Sequence, residues 1–113
     1  MSDRAAGARA LDEMQAVVDG WIRAHGGYWD EWVNLARLLE EAGELAAAFQ
    51  RARGWRPRPA EADLAGELGD LLWVLLVIAS QQEVDLAAAF EQTLTKVTAR
   101  DGEAWRAWQP PAA

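Results

Sequence analysis

The chain has 113 residues, half of them hydrophobic by count, the profile of one small folded domain rather than a disordered segment. It has no cysteine, which excludes disulfides, thiolate metal sites and thiol nucleophiles together, and a single histidine, His25, which argues against His-rich metal or acid–base sites. A formal net charge of -7 argues against sequence-independent binding to a nucleic-acid polymer, where lysines and arginines must displace counterions; a phosphate ligand fits such a chain only if clustered carboxylates first recruit divalent cations.

The first thirteen residues, MSDRAAGARALDE, carry charges but no apolar stretch of the secretory kind. The longest apolar run, 71–79, is nine residues, far short of the roughly 20 needed to span a bilayer. The expectation is a soluble cytoplasmic protein with no membrane partner.

In chain order the pattern is helical, and no convincing strand is read. A first helix is expected over about 8–24, where Leu11, Met14, Val18, Trp21 and Ile22 recur at three- and four-residue intervals before Gly26 and Gly27 break the run. A second is expected over about 30–53, with Asp30 as N-cap and Leu35, Leu38, Leu39, Ala42, Leu45, Ala46 and Phe49 as its apolar stripe. Pro57 and Pro59 mark a loop, since each disfavours helix in the residue before it. The third helix is placed at about 61–82; from Leu68 onward it is apolar nearly all round, apart from Gly69 and Asp70, and so is expected to be buried on most sides. The fourth, over about 85–107, has Asp85 as N-cap and carries Phe90, Leu94, Val97 and Trp105, and 109–113 reads as a tail.

Residues 1–113 therefore read as a single all-α domain, a four-helix bundle-like fold. The all-round apolar third helix implies more buried surface than three short neighbours supply. A homo-oligomer is expected, with the third and fourth helices near the interface.

Two spacings carry the chemistry. Glu41 and Glu44, and Glu67 and Asp70, are pairs at i and i+3, neighbours on one helical face. Two such pairs on facing helices would converge four carboxylates into a hard, oxygen-rich site suited to Mg²⁺ or Mn²⁺. Glutamates at this spacing are also common on solvated faces, and Arg37 or Arg51 could serve the acids as purely structural partners. Glu67 and Asp70 are harder to dismiss. Asp is a poor helix-interior residue, and Asp70 directly precedes an apolar run, about two turns beyond the expected helix start, where the macrodipole no longer rewards an acid.

Residues 35–46 (LARLLEEAGELA) and 66–73 (GELGDLLW), with 22 residues between Glu44 and Glu67, resemble the MazG-like all-α nucleoside triphosphate pyrophosphohydrolases of the short single-domain bacterial type, whose signature is Glu-x-x-Glu, a linker, then Glu-x-x-Asp. The resemblance extends over about 14–108. It implies an enzyme that hydrolyses a (d)NTP between the α- and β-phosphates to monophosphate and pyrophosphate, and that assembles as a dimer or as a tetramer of dimers. House-cleaning of non-canonical nucleotides is one role compatible with it.

On this reading Glu41, Glu44, Glu67 and Asp70 hold Mg²⁺ (Mn²⁺ as a substitute), Glu40 and Glu41 serve catalysis, and Lys96 and Arg100, at i and i+4, hold phosphates. Lys96 and Arg100 read equally well as a solvated helical face. Trp29 is the candidate to stack on a base with His25 beside it, while Trp21, Trp73, Trp105 and Trp108 sit at stripe spacing and read as core or interface. Thr98 stands where many members carry asparagine, and it bears on sugar or phosphate recognition. The competing readings are a helical oligomeric interaction module without catalysis, and a metal-dependent nucleotide phosphatase releasing inorganic phosphate.

Overall fold

Asp30, Asp63 and Asp85 each open a helix by accepting a hydrogen bond from a backbone N–H two or three residues on: Trp32 at 2.9 Å, Gly66 at 2.9 Å and Ala88 at 3.0 Å. The computed structural model describes residues 7–108 and 110–112. In it α1 spans Leu11–Ala24, α2 Glu31–Ala52, α3 Leu64–Gln81 and α4 Leu86–Ala107, and no strand occurs among the described residues. A single 3₁₀ turn, Pro59–Glu61, stands between α2 and α3.

The start of α3 differs from the sequence reading. Glu61 lies in the 3₁₀ turn, Ala62 is extended, and the helix begins only after the Asp63 cap. A side chain that caps Gly66 fixes the first turn there, and the proline-led turn before it cannot join the helix. At the other boundary of interest, Gly26 and Gly27 both take positive φ (105° and 91°), conformations that end α1 and turn the chain toward α2.

The core lies between α1 and α3. Val18 and Ile22 from α1 meet Leu76 and Val77 from α3, with Met14, Tyr28 and Trp73 packed around them. The helix pair α2–α3 is the most extensive, closing over Ala47 and Ala48 of α2 and Val74 of α3, which is 1% exposed. Small residues on α2 allow that close approach.

Asn34, 2% exposed, is the one buried polar residue among the described residues; its amide donates to the Gln81 side chain at 2.9 Å, and Gln81 donates to the Trp29 carbonyl at 2.7 Å. This chain of bonds ties the α1–α2 turn to the end of α3. Gln15 performs a similar task at the α3–α4 turn, donating to the Val84 carbonyl and accepting from the Leu86 N–H.

The third helix is not buried on most sides as expected. Val74, Leu76, Val77 and Ala79 are inside, while Leu68, Leu72 and Leu75 remain open to solvent. The fourth helix packs on α1 near its start and has no buried residue; Phe90 is 55% and Leu94 50% exposed. The radius of gyration, 17.3 Å, exceeds the roughly 13 Å of a compact domain this long, because α4 extends away from the other three helices.

By length and composition alone α3 could cross a membrane. It also carries Glu67 and Asp70, which meet Glu41 of α2 and would be costly in lipid.

Candidate metal centre

On α2, residues at three- and four-residue steps share a face: Asn34, Arg37, Glu41 and Glu44. On α3, running the other way, Glu67, Asp70, Trp73 and Val77 do the same. The two rows meet. One carboxylate oxygen from each of Glu41, Glu67 and Asp70 lies within 4.8 Å of the other two. Ligand oxygens at about 2.1 Å around a six-coordinate Mg²⁺ stand about 3–4 Å apart, so small side-chain adjustments close the trio on one ion.

Electrostatics agree with this convergence. The Glu67 carboxyl is raised above the ordinary carboxylate range, first by desolvation and then by Asp70, Glu44, Glu41 and Asp63. Four neighbouring acids thus disfavour its charge, and a divalent cation reverses that balance. Glu44 is close enough to act on Glu67 but stands outside the trio. Glu40 is exposed, one residue round the helix from Glu41, and is not part of it.

The two acids of α3 sit differently from the sequence expectation. Glu67 falls in the first turn of α3, where the macrodipole does favour an acid. Asp70 is exposed rather than set in an apolar wall. The case for these residues therefore rests on like charges brought together, with partial desolvation at Glu67, and not on an apolar wall around Asp70. Neither structural partner considered for them pairs with them: the Arg37 guanidinium lies 5.0 Å over the Trp29 ring, and neither Arg37 nor Arg51 makes an ion pair among the described residues.

Beside the trio a cavity of about 330 Å³ opens between α1, α2 and α3, with Trp21, His25, Trp29, Asn34, Arg37 and Trp73 among its walls. None of the acids lines it, but two of its walls neighbour them along the helices: Arg37 is one turn before Glu41 and Trp73 is one turn after Asp70. Trp21 stacks on His25 at 4.1 Å and meets Trp73 edge-on at 5.4 Å. His25 Nδ1 donates to the Trp21 carbonyl at 2.7 Å, so that in the neutral ring Nε2 is the acceptor. Tyr28 donates its hydroxyl to Asp19, which Arg23 also engages.

The structure thus brings His25 and Trp29 to one cavity wall. It adds Trp21, Trp73, Asn34 and Arg37, which sequence reasoning gave to the core, to a structural ion pair, or to no role. Their signal was present as spacing: Arg37 and Trp73 each lie one turn from a candidate ligand. The residues of α4 are not brought to the trio within one copy of the chain. Thr98 donates to the Leu94 carbonyl at 2.7 Å, Arg100 pairs with Asp101 at 2.7 Å, and Lys96 is exposed.

The class these features define is an all-helical domain with a cluster of carboxylates and, nearby, a cavity walled largely by aromatic side chains. The family is equally plain. Residues 31–105 match the model of the MazG nucleotide pyrophosphohydrolase domain, and the chain belongs to that family of enzymes. It is 33% identical over 101 residues to the protein YpjD of Bacillus subtilis (strain 168), covering 86% of this chain and 91% of that one. The crystal structure of YpjD from Bacillus subtilis superimposes with a TM-score of 0.73 at 32% identity, covering 84% of this chain and 99% of the other. That of the Bacillus-conserved MazG protein, a nucleotide pyrophosphohydrolase, gives 0.69 at 31% identity, covering 86% and 98%.

Proposed function

We propose that this chain hydrolyses a nucleoside triphosphate between the α- and β-phosphates, giving monophosphate and pyrophosphate, with Mg²⁺ held by Glu41, Glu67 and Asp70. The observation that carries this reading is the convergence of those three carboxylates, none of which makes an ion pair with a basic side chain among the described residues. Their oxygen-only donor set suits Mg²⁺, with Mn²⁺ able to substitute. When bound, the cation supplies charge neutralisation at the phosphates and a more acidic water.

The protein's own side chains then have separable tasks. Glu41, Glu67 and Asp70 fix the centre, and Glu44, adjacent but outside the trio, completes the coordination or accepts a proton from water. Glu40 is an outer carboxylate for the same water. Trp29 and Trp73 supply flat surfaces for a base, and Nε2 of His25 offers it an acceptor. Lys96, Arg100 and Thr98 reach a site only in an assembly where α4 of one copy lies over another. The exposed Leu68, Phe90 and Leu94 support such an assembly, a homodimer at least and a tetramer by the same reasoning. We place the enzyme in the cytoplasm, with a small nucleotide rather than a nucleic-acid polymer as its partner.

The test is product analysis. Protein incubated with canonical and modified (d)NTPs and Mg²⁺ yields monophosphate and pyrophosphate. Diphosphate with inorganic phosphate identifies the phosphatase instead. No turnover on any nucleotide, together with no Mg²⁺ binding by calorimetry, leaves the non-catalytic helical module.

A further inference from the structure

The row of α2 residues that carries the site does not end at Glu44. Its next members are Ala48, buried against α3, and then Arg51, in the last turn of the helix. Asn34 and Arg37 line the cavity, Glu41 is in the carboxylate trio, and Glu44 acts on Glu67, so the row has a fixed order: cavity, acids, arginine. Arg37 and Arg51 are 14 residues apart, about 21 Å along the axis, with the acids between them. Because α3 returns alongside α2, with Asn34 bonded to Gln81 and Glu41 beside Glu67 and Asp70, Arg51 is level with the 3₁₀ turn that packs on α2 before α3, at the end of the row opposite the cavity.

Arg51 is also the one side chain in the described structure with a buried polar atom lacking a partner. Its Nε is out of contact with solvent and makes no hydrogen bond. It makes no ion pair either, among the described residues of a chain whose net charge is -7. A guanidinium N–H withdrawn from water without an acceptor is costly, and an anionic ligand relieves that cost.

The neighbouring arginines are differently placed. Residues 51–58 contain four of the chain's eleven Lys and Arg residues, but Arg53 covers the Phe49 ring at 4.7 Å, Arg56 donates to Gln50 at 3.0 Å, and Arg58 is 3.9 Å from Glu61. Arg51 alone of the four has no such engagement.

We propose that Arg51 holds the terminal diphosphate of the substrate, the part that leaves as pyrophosphate. The nucleotide then lies along α2 with its base in the tryptophan-walled cavity and its α-phosphate at the carboxylates. The inference rests on the function proposed above and adds a direction to it. The order base, α-phosphate, diphosphate matches the order cavity, acids, guanidinium. The reverse orientation sets a polyanion in a cavity walled largely by aromatic rings, where the Arg37 guanidinium already lies over Trp29, and leaves the Arg51 guanidinium without an anion. A planar guanidinium also suits the end of a diphosphate, where two N–H groups can engage two oxygens together.

The test is calorimetric titration of the full chain with magnesium pyrophosphate and, separately, with a nucleoside monophosphate and Mg²⁺. Arg51→Met and Arg51→Lys are compared with wild type, and Arg106→Ala, which removes a surface partner of Glu103 on α4, is the control. Arg51→Met weakens pyrophosphate binding about 10-fold or more and leaves monophosphate binding unchanged. Arg51→Lys falls between, since it keeps the charge and loses the fork. In turnover, KM for the triphosphate rises more than kcat falls.

Unchanged pyrophosphate affinity in Arg51→Met overturns the proposal; if that variant does not fold, wild-type affinity in Arg51→Lys overturns it. A wild-type protein that binds Mg²⁺ and monophosphate but not pyrophosphate removes the role of Arg51 alone. Binding of none of the three removes the proposed function, and this inference with it.

Discussion

Glu67, a proposed metal ligand, shows what such a carboxylate costs its own fold. Its charge is opposed by desolvation and by Asp70, Glu44, Glu41 and Asp63, so in metal-free protein it works against stability at neutral pH. Glu67→Gln keeps the shape and removes the repulsion. It raises the Tm of metal-free protein, abolishes the Tm gain from added Mg²⁺, and lowers turnover about 100-fold or more; calorimetry with and without Mg²⁺ and a product assay read all three. Asp19 is the opposite case. Its carboxyl is held below the ordinary carboxylate range, first by the Tyr28 hydroxyl and then by Arg23. A depressed folded-state value means the stabilisation is fully present above the unfolded pKa of about 4 and is lost as pH falls through the lower folded value. Asp19→Asn therefore lowers Tm at pH 7, and its Tm gap to wild type narrows as the pH is taken from about 5 toward about 2.

Among the elements, α3 is set by its first turn. Asp63 caps it through Gly66, and a Cβ at position 66 would overlap the Asp63 carboxylate. Two effects then compete in Gly66→Ala: loss of the cap, about 1 kcal/mol, and the better helix propensity of alanine, of similar size and opposite sign. The expected result is a nearly unchanged Tm. Asp63→Ala has no such compensation and destabilises by about 1 kcal/mol, a Tm loss of about 4–8 °C for a domain of this size. Thermal melts of the two variants side by side separate the cap from the glycine. Both leave the carboxylate trio intact, so Mg²⁺ binding persists in each.

At the scale of the whole molecule, the unfinished part is α4. It buries nothing of its own and presents Phe90 and Leu94 to solvent, while α3 presents Leu68. Exposed apolar area of this kind on two helices marks an interaction surface. If the chain assembles through this surface as proposed, Phe90→Glu with Leu94→Glu gives a monomer in sedimentation or light scattering where wild type gives an oligomer, with helicity retained because neither residue belongs to the core. If Lys96 and Arg100 act on a second copy's nucleotide, that monomer also loses turnover while keeping Mg²⁺ binding at Glu41, Glu67 and Asp70.

The sequence by itself determined the helical class and most of the helix boundaries. Apolar periodicity and capping aspartates are local signals: Asp30 and Asp85 cap as read, and only Asp63 was passed over in favour of the residues before it. It also determined which carboxylates to examine, because i and i+3 spacing is itself a statement about one helical face. The tertiary structure decided how those acids divide. The antiparallel pairing of α2 with α3 brings Glu41 to Glu67 and Asp70, leaves Glu44 just outside, and shows the two α3 acids to be less buried than their apolar surroundings implied. It also decided that Trp21, Trp73, Asn34 and Arg37 share a cavity with His25 and Trp29. Stripe spacing alone cannot distinguish a core tryptophan from a cavity wall, since both lie on the inward face; only the packing of a third helix tells whether that face is filled.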